Sequence, residues 1–168
     1  RHDGTWLWVV PVGPVLRAFL YAAMTLSVAI VIAGSAQPGP ASVGAPAGRV
    51  FGVARITRHP VALGTALLMA LHVLPNGNTA DLAFFGGFIA LGVLGSWHQD
   101  QRKLHEGSEA FREYHAATPF WPFTGPRTLC GLREIPAWVW AVACSSRAMT
   151  SEASAKPSCK TTRPSSRA

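Results

Sequence analysis

The run AFLYAAMTLSVAIVIAGSA, Ala18 to Ala36, constrains this chain more than any other stretch, because nineteen residues pass without a charge. As a helix rising 1.5 Å per residue it reaches about 28 Å, close to the thickness of a bilayer's hydrocarbon core. A buried helix of a soluble protein is the competing reading. Composition weighs against it: only 14% of the 168 residues are charged, where soluble domains carry about 25%. The expected fold class is an all-α integral membrane helical bundle, with the lipid bilayer as its first partner.

Two further apolar segments follow. GSAQPGPASVGAPAG, Gly34 to Gly48, holds four glycines, three prolines and no charge, a composition that favours irregular backbone. It ends in a basic edge of Arg49, Arg55 and Arg58. Pro60 to Leu74 reads as a second span, with proline in the first turn, where its missing N–H has no partner to lose. Its length is about 22 Å, so it must borrow a turn from each interface. PNGN, Pro75 to Asn78, stops it. A third span opens at Thr79 or Ala80, carries Asp81 in its first turn where the helix dipole favours an acid, and runs to Trp97. Within it Gly86 with Ala90, and Gly92 with Ser96, are pairs of small residues one turn apart that allow close helix packing.

Past Trp97 the character changes. HQDQRKLHEGSEAFREY, His98 to Tyr114, is polar and reads as a surface helix, and Phe120, Trp121 and Phe123 read as interfacial anchors. Ile135 to Ala143 begins what could be a fourth span, but nine residues cannot cross a bilayer. Residues 1–143 therefore read as a membrane domain with about three transmembrane helices and a fragment of a fourth. Residues 144–168, rich in Ser, Thr, Ala, Lys and Arg, read as a disordered polar tail. The abruptness of that change suits a shifted reading frame or a truncated gene. The chain begins at Arg1 without a signal-peptide layout, and reads as a segment of something longer.

Charge placement predicts a topology. The stretch 37–59 carries three arginines, and 98–133 carries Arg102, Lys103, Arg112, Arg127 and Arg133, whereas the turn 75–81 has no positive charge. By the positive-inside rule the two basic segments are cytoplasmic and the turn lies outside. The formal net charge of +7 is spread between apolar runs and tail, not gathered in one stripe, which excludes a nucleic-acid partner. Cys130, Cys144 and Cys159 show no CxxC spacing, so neither a zinc site nor a disulfide framework is expected.

The histidines carry the functional signal. His2, His98, His105 and His115 sit in polar surroundings and read as solvated side chains. His59, beside Arg58 at the mouth of the second span, faces either lipid headgroups or the acidic edge of a cofactor or substrate, with Arg58 supplying charge-assisted hydrogen bonds. His72 lies inside an apolar helix, where an ionisable group needs a partner to offset its desolvation. That partner is either a backbone carbonyl or a side chain such as Asn76, or a metal, since haem iron takes a neutral imidazole as an axial ligand. Thirteen helical residues separate His59 from His72 by about 20 Å, so they cannot ligate one ion. The first and third spans hold no histidine or cysteine, Met24 being their one weak ligand.

The stretch GVARITRHPVALGTALLMALHVLPNGNTADLAFFGGFIALGVLGSWHQDQRKLHEGSEAFREYHAATPFWPF resembles the NnrU family of bacterial membrane proteins, which includes the plant 15-cis-ζ-carotene isomerase. The likeness runs from about Trp6 to Phe123 and is strongest from Gly52. It rests on the TRHP motif of Thr57 to Pro60, on Leu71, His72, Asn76 and Gly77, and on GSW, D-x-R and T-x-x-x-PF after them. The resemblance implies a multi-span inner-membrane protein that binds haem b. It implies either an accessory role in nitrite and nitric oxide respiration (denitrification) or cis–trans isomerisation of a carotenoid-like polyene. It further implies His72 as the axial haem ligand, with a second axial histidine upstream of residue 1. Met69 stands where the isomerase has a cysteine, a departure that leaves ligand exchange there in question. Arg58 and His59 become contacts to the haem propionates or to the ligands.

A different class competes. RHPVALG, Arg58 to Gly64, followed by Tyr114, Pro119 and Pro122, also resembles membrane S-adenosylmethionine-dependent methyltransferases acting on isoprenylcysteine or phospholipid. Those enzymes carry paired glutamates where this chain reads Gln99-Asp100, so one carboxylate remains. A structural membrane subunit without a cofactor is the third reading.

Overall fold

The computed structural model describes residues 4–41 and 50–153, with side chains described as far as residue 145. The protein is mostly helical. A short strand β1 (Trp6–Val9) leads into helix α1 (Pro14–Ala36), and a single 3-10 turn (Gly52–Arg55) precedes α2 (Pro60–Val73). Strand β2 (Asn76–Asn78), α3 (Thr79–His105), α4 (Glu109–Ala117), α5 (Thr128–Glu134) and α6 (Ala137–Ala153) complete the order.

α1 and α3 are long and apolar enough to cross a membrane, and little of either is buried inside the protein. Uncovered apolar surface of this extent suits a bilayer or further protein packed against it. α2 has 14 residues, about 21 Å of helix, and falls short of that length. It packs between α1 and α3, while α6 lies against α1.

Small residues set these approaches. A Cβ at Gly64 would come within 2.9 Å of Val31 on α1, and one at Gly92 within 2.8 Å of the Ala62 carbonyl on α2. The expected Gly92–Ser96 pair thus packs, Ser96 being 2% exposed. The Gly86–Ala90 pair does not: a Cβ at Gly86 meets nothing within 4 Å, and Ala90 is exposed. Where α1 meets the 3-10 turn and α6, Ala29, Ile30, Ala33, Val53, Ile56, Ile135, Val139 and Ala143 form the main apolar core.

The boundaries differ from expectation in four places. α1 starts four residues before Ala18, taking in Arg17, and its last turn absorbs Gly34 to Ala36. Residues 42–49, with Arg49, lie outside the described residues, as does His2. The polar stretch after Trp97 is not one surface helix: its first half continues α3 to His105, and a turn separates it from α4. A helix of 27 residues is about 40 Å long, so its polar end projects beyond an apolar layer without breaking. The Ile135 segment opens α6, whose 17 residues run into the expected tail as far as Ala153, while 154–168 lie outside the described residues.

At the opposite end, β1 pairs antiparallel with β2, Trp6 opposite Asn78 and Val9 opposite Asn76. The Trp8 indole N–H donates to the Leu74 carbonyl (3.2 Å), capping the end of α2. Asn78 accepts from the Ala80 N–H (2.9 Å) and so starts α3 as an N-cap, with Asp81 in the first turn.

Candidate functional site

α2 carries both singled-out histidines, one at each end, and the structure gives them different surroundings.

At the start of α2, proline at its first position keeps the preceding residue out of the helical region, and His59, at φ −117° and ψ 61°, closes the non-helical backbone that leads into the helix. That backbone pairs with the segment after α4: the Arg58 N–H donates to the Pro119 carbonyl (3.0 Å) and the Phe123 N–H to the Ile56 carbonyl (3.2 Å). The Thr57 hydroxyl donates to the Phe120 carbonyl (2.7 Å). TRHP and TPFWPF thus form one locked unit. Arg58 Nε donates to Asp100 Oδ2 at 2.7 Å, and its Nη1 donates to the carbonyls of Thr118 (2.8 Å) and His115 (3.3 Å). His59 Nε2 meets Asp100 Oδ1, also at 2.7 Å. Phe120 covers the group, its ring 5.3 Å from the guanidinium carbon and edge-on to His59.

Arg58, His59, Asp100 and Thr118 are all buried. A buried carboxylate is tolerable only if paired and fully hydrogen-bonded, and both oxygens of Asp100 are engaged. His115, read as solvated, is half-buried, with Nε2 3.8 Å from Asp100 Oδ2. Burial pushes its pKa below the ordinary histidine value, and the nearby Arg58 charge adds to the effect. On the same helix, burial raises the Tyr114 phenol to about 12, and its hydroxyl has no hydrogen-bond partner among the described residues.

Arg58 therefore spends its charge on a carboxylate of the same chain. Phe120, expected as an interfacial anchor, packs on the cluster instead, whereas Trp121 and Phe123 are 54% and 38% exposed, as anchors are. Asp100 was overlooked as a site residue. Its signal was available: Gly92, Ser96 and Asp100 fall at i, i+4 and i+8, one face of a helix, and they are the buried residues of α3.

Beside this cluster, between α2 and α3, lies a cavity of about 370 Å³, lined by Arg58 and His59 at its polar end and by Thr65, Phe88 and Leu91 among its other walls.

At the far end of α2, His72 is half-buried. Its Nδ1 meets the Leu68 carbonyl one turn back at 2.8 Å, and its ring stacks on Phe85 of α3 with centroids 5.4 Å apart. Asn76, expected as a partner of the His72 ring, donates instead to the His72 carbonyl (3.4 Å). A carbonyl oxygen can only accept, so Nδ1 carries a proton, and in the neutral imidazole Nε2 keeps its lone pair. This is the arrangement that metal-ligating histidines share, the second nitrogen fixing the tautomer. Met69 lies three residues earlier, half-buried, and Met24 sits on α1. Among the described residues no group of three or more His, Cys, Asp or Glu could hold a bare metal ion. A haem would ask less of the protein, a single donor nitrogen beside an apolar ring, and His72 stacked on Phe85 fits that demand.

Nothing supports the methyltransferase reading, whose surviving carboxylate, Asp100, is 2% exposed and committed on both oxygens.

Comparison with known proteins places these features in context. A family model described as NnrU protein matches residues 1–149. The chain is 30% identical over 139 residues to the chloroplastic 15-cis-zeta-carotene isomerase of Zea mays, covering 81% of this chain and 37% of that protein. It is 29% identical over 126 residues to the isomerase of the same name from Arabidopsis thaliana, covering 73% and 34%. The chain thus spans little more than a third of the length of these relatives. No solved structure matches.

Proposed function

The chain belongs to the NnrU family, and from that premise we propose that it is part of a haem-binding membrane isomerase acting on a cis double bond of a long polyene. Support comes from the two curated relatives, both named 15-cis-zeta-carotene isomerase. The observation that carries the site is the Nδ1 contact from His72 to the Leu68 carbonyl, which leaves Nε2 as a free donor atom in an apolar helix.

In this reading α1, α2 and α3 form three spans. The short α2 is sheltered on both sides and reaches the interfaces through its flanking turns. The TRHP end lies on the basic, cytoplasmic side and the β1–β2 ribbon outside. His72 would hold the haem iron through Nε2, with the Leu68 carbonyl fixing the imidazole's orientation and Phe85 packed against its face. Met69 borders the same site. Haem, when bound, supplies an iron centre able to withdraw electron density from a conjugated double bond. The protein's own residues exclude water from that face: among them Phe84 and Phe88 offer an apolar, aromatic surface to a hydrocarbon chain. Arg58 and Asp100, about 20 Å away along α2, brace the helix that carries the ligand.

The test is isomer analysis by chromatography. The full-length protein in liposomes, given 15-cis-ζ-carotene under reducing and oxidising conditions, is expected to convert it, and His72→Ala to leave it unchanged. A haem-loaded wild type that leaves the polyene unconverted under both conditions contradicts the isomerase role. That result would favour the accessory role in nitrite and nitric oxide reduction that the family resemblance also implies.

A further inference from the structure

We propose that the cavity between α2 and α3 is a second binding site, for an apolar chain that ends in a hydroxyl group, with His59 accepting the hydroxyl's hydrogen bond. The proposal rests on the cavity alone and not on the haem reading.

His59 lines the cavity, and its side chain is only 4% exposed. Its Nε2 is turned to Asp100, so Nδ1 is the ring nitrogen left to the cavity, and it has no hydrogen-bond partner among the described residues. The charge balance sets its state. Asp100 is already neutralised by Arg58 at 2.7 Å, and a second buried cation against one carboxylate would leave net charge in a low-dielectric setting. A neutral imidazole donating from Nε2 to Asp100 presents a bare lone pair at Nδ1. Such an atom seeks an O–H or N–H, not a carbonyl.

The rest of the lining agrees. Gln99 also borders the cavity; one of its two amide N–H groups is committed to the Ala41 carbonyl (2.5 Å), which leaves its oxygen and one N–H. The polar end of the site therefore sets acceptors at His59 and Gln99 beside the remaining N–H groups of Arg58 and Gln99, a mixture that suits a hydroxyl, which both donates and accepts. Phe88 and Leu91, 43% and 70% exposed, extend the opposite wall along the apolar face of α3, open to the side where lipid would lie. A ligand here has its hydroxyl at His59 and its hydrocarbon part along α3, and membrane-soluble alcohols such as prenols have that form. A volume of about 370 Å³ lies within the range of small-molecule sites.

The experiment uses the full-length protein in lipid nanodiscs with 15N-labelled histidine, titrated with geraniol and with its methyl ether. Geraniol is expected to shift the His59 Nδ1 resonance saturably. The ether, which cannot donate, should bind about tenfold more weakly, the upper end of what one hydrogen bond contributes. Thr65→Phe, and independently Leu91→Trp on the other wall, should abolish the shift by filling the cavity while leaving the Arg58–Asp100 cluster untouched. Equal binding of alcohol and ether overturns the proposal, as does geraniol binding that survives both fillings, or no saturable shift at all. None of these readouts depends on haem.

Discussion

Arg58 and Asp100, 42 residues apart in sequence, meet at 2.7 Å with both side chains buried. This contact joins the start of α2 to the polar end of α3, and through the Thr118 and His115 carbonyls it also holds the segment after α4. Removing one partner leaves the other as an uncompensated buried charge. Asp100→Asn is therefore expected to destabilise the protein by about 3–5 kcal/mol. The double substitution Arg58→Met with Asp100→Leu should cost less than the single one. Thermal unfolding in detergent, followed by circular dichroism, measures both, and a double variant less stable than Asp100→Asn would contradict this assignment.

His115 gives the cluster an acid-side weakness. Its folded pKa is lowered by burial, with Arg58 adding to the effect, so the fold favours the neutral imidazole. A lowered histidine pKa means that the unfolded chain binds the proton first. The contribution is whole above about pH 6.5, the unfolded value, and is lost as pH falls through the lower folded value. The melting temperature should fall between pH 7 and pH 5, and His115→Gln should flatten that slope. An unchanged slope in the variant would remove His115 as the cause.

Tyr114 buries a phenol whose hydroxyl has no partner among the described residues. Replacing an unsatisfied hydroxyl with hydrogen removes a desolvation cost and no bond. Tyr114→Phe should leave stability unchanged or raise it by about 1 kcal/mol. A clear loss in the same melting experiment would mean that the hydroxyl is satisfied in the membrane.

The topology is open to labelling. Cys130 is exposed on the basic side of the fold. In a background with Cys144→Ser and Cys159→Ser, a membrane-impermeant maleimide should spare Cys130 in intact cells and modify it after lysis. Asn76→Cys, in a background that also lacks Cys130, should react in intact cells. The reverse pattern would invert the orientation.

The apolar helices were legible because long charge-free runs favour one continuous element, and α1, α2 and the start of α3 lie next to proline, glycine and asparagine signals. The histidine at position 72 was legible for the same reason: a polar ring in an apolar helix stands out. The cluster was harder. Polarity after Trp97 suggested a break, yet α3 continues, and only that continuity puts Asp100 in line with Gly92 and Ser96 and turns it inward. The β1–β2 ribbon left no trace in the pattern, because strands of four and three residues are too short to show a period, and they pair across about seventy positions. Phe120 was misread because an aromatic near a proline has the composition of an interfacial anchor. Its contact with Arg58 follows from backbone pairing between two segments that composition does not link.

The central claim, that His72 Nε2 holds haem iron, meets its most direct test in the visible absorption spectrum of the purified full-length protein. The account predicts a Soret band with a stoichiometric haem content in the wild type and its loss or marked shift in His72→Ala. His59→Gln, at the other end of α2, should keep the band. A well-folded wild type without porphyrin, or an undiminished and unshifted Soret band in His72→Ala, would contradict it.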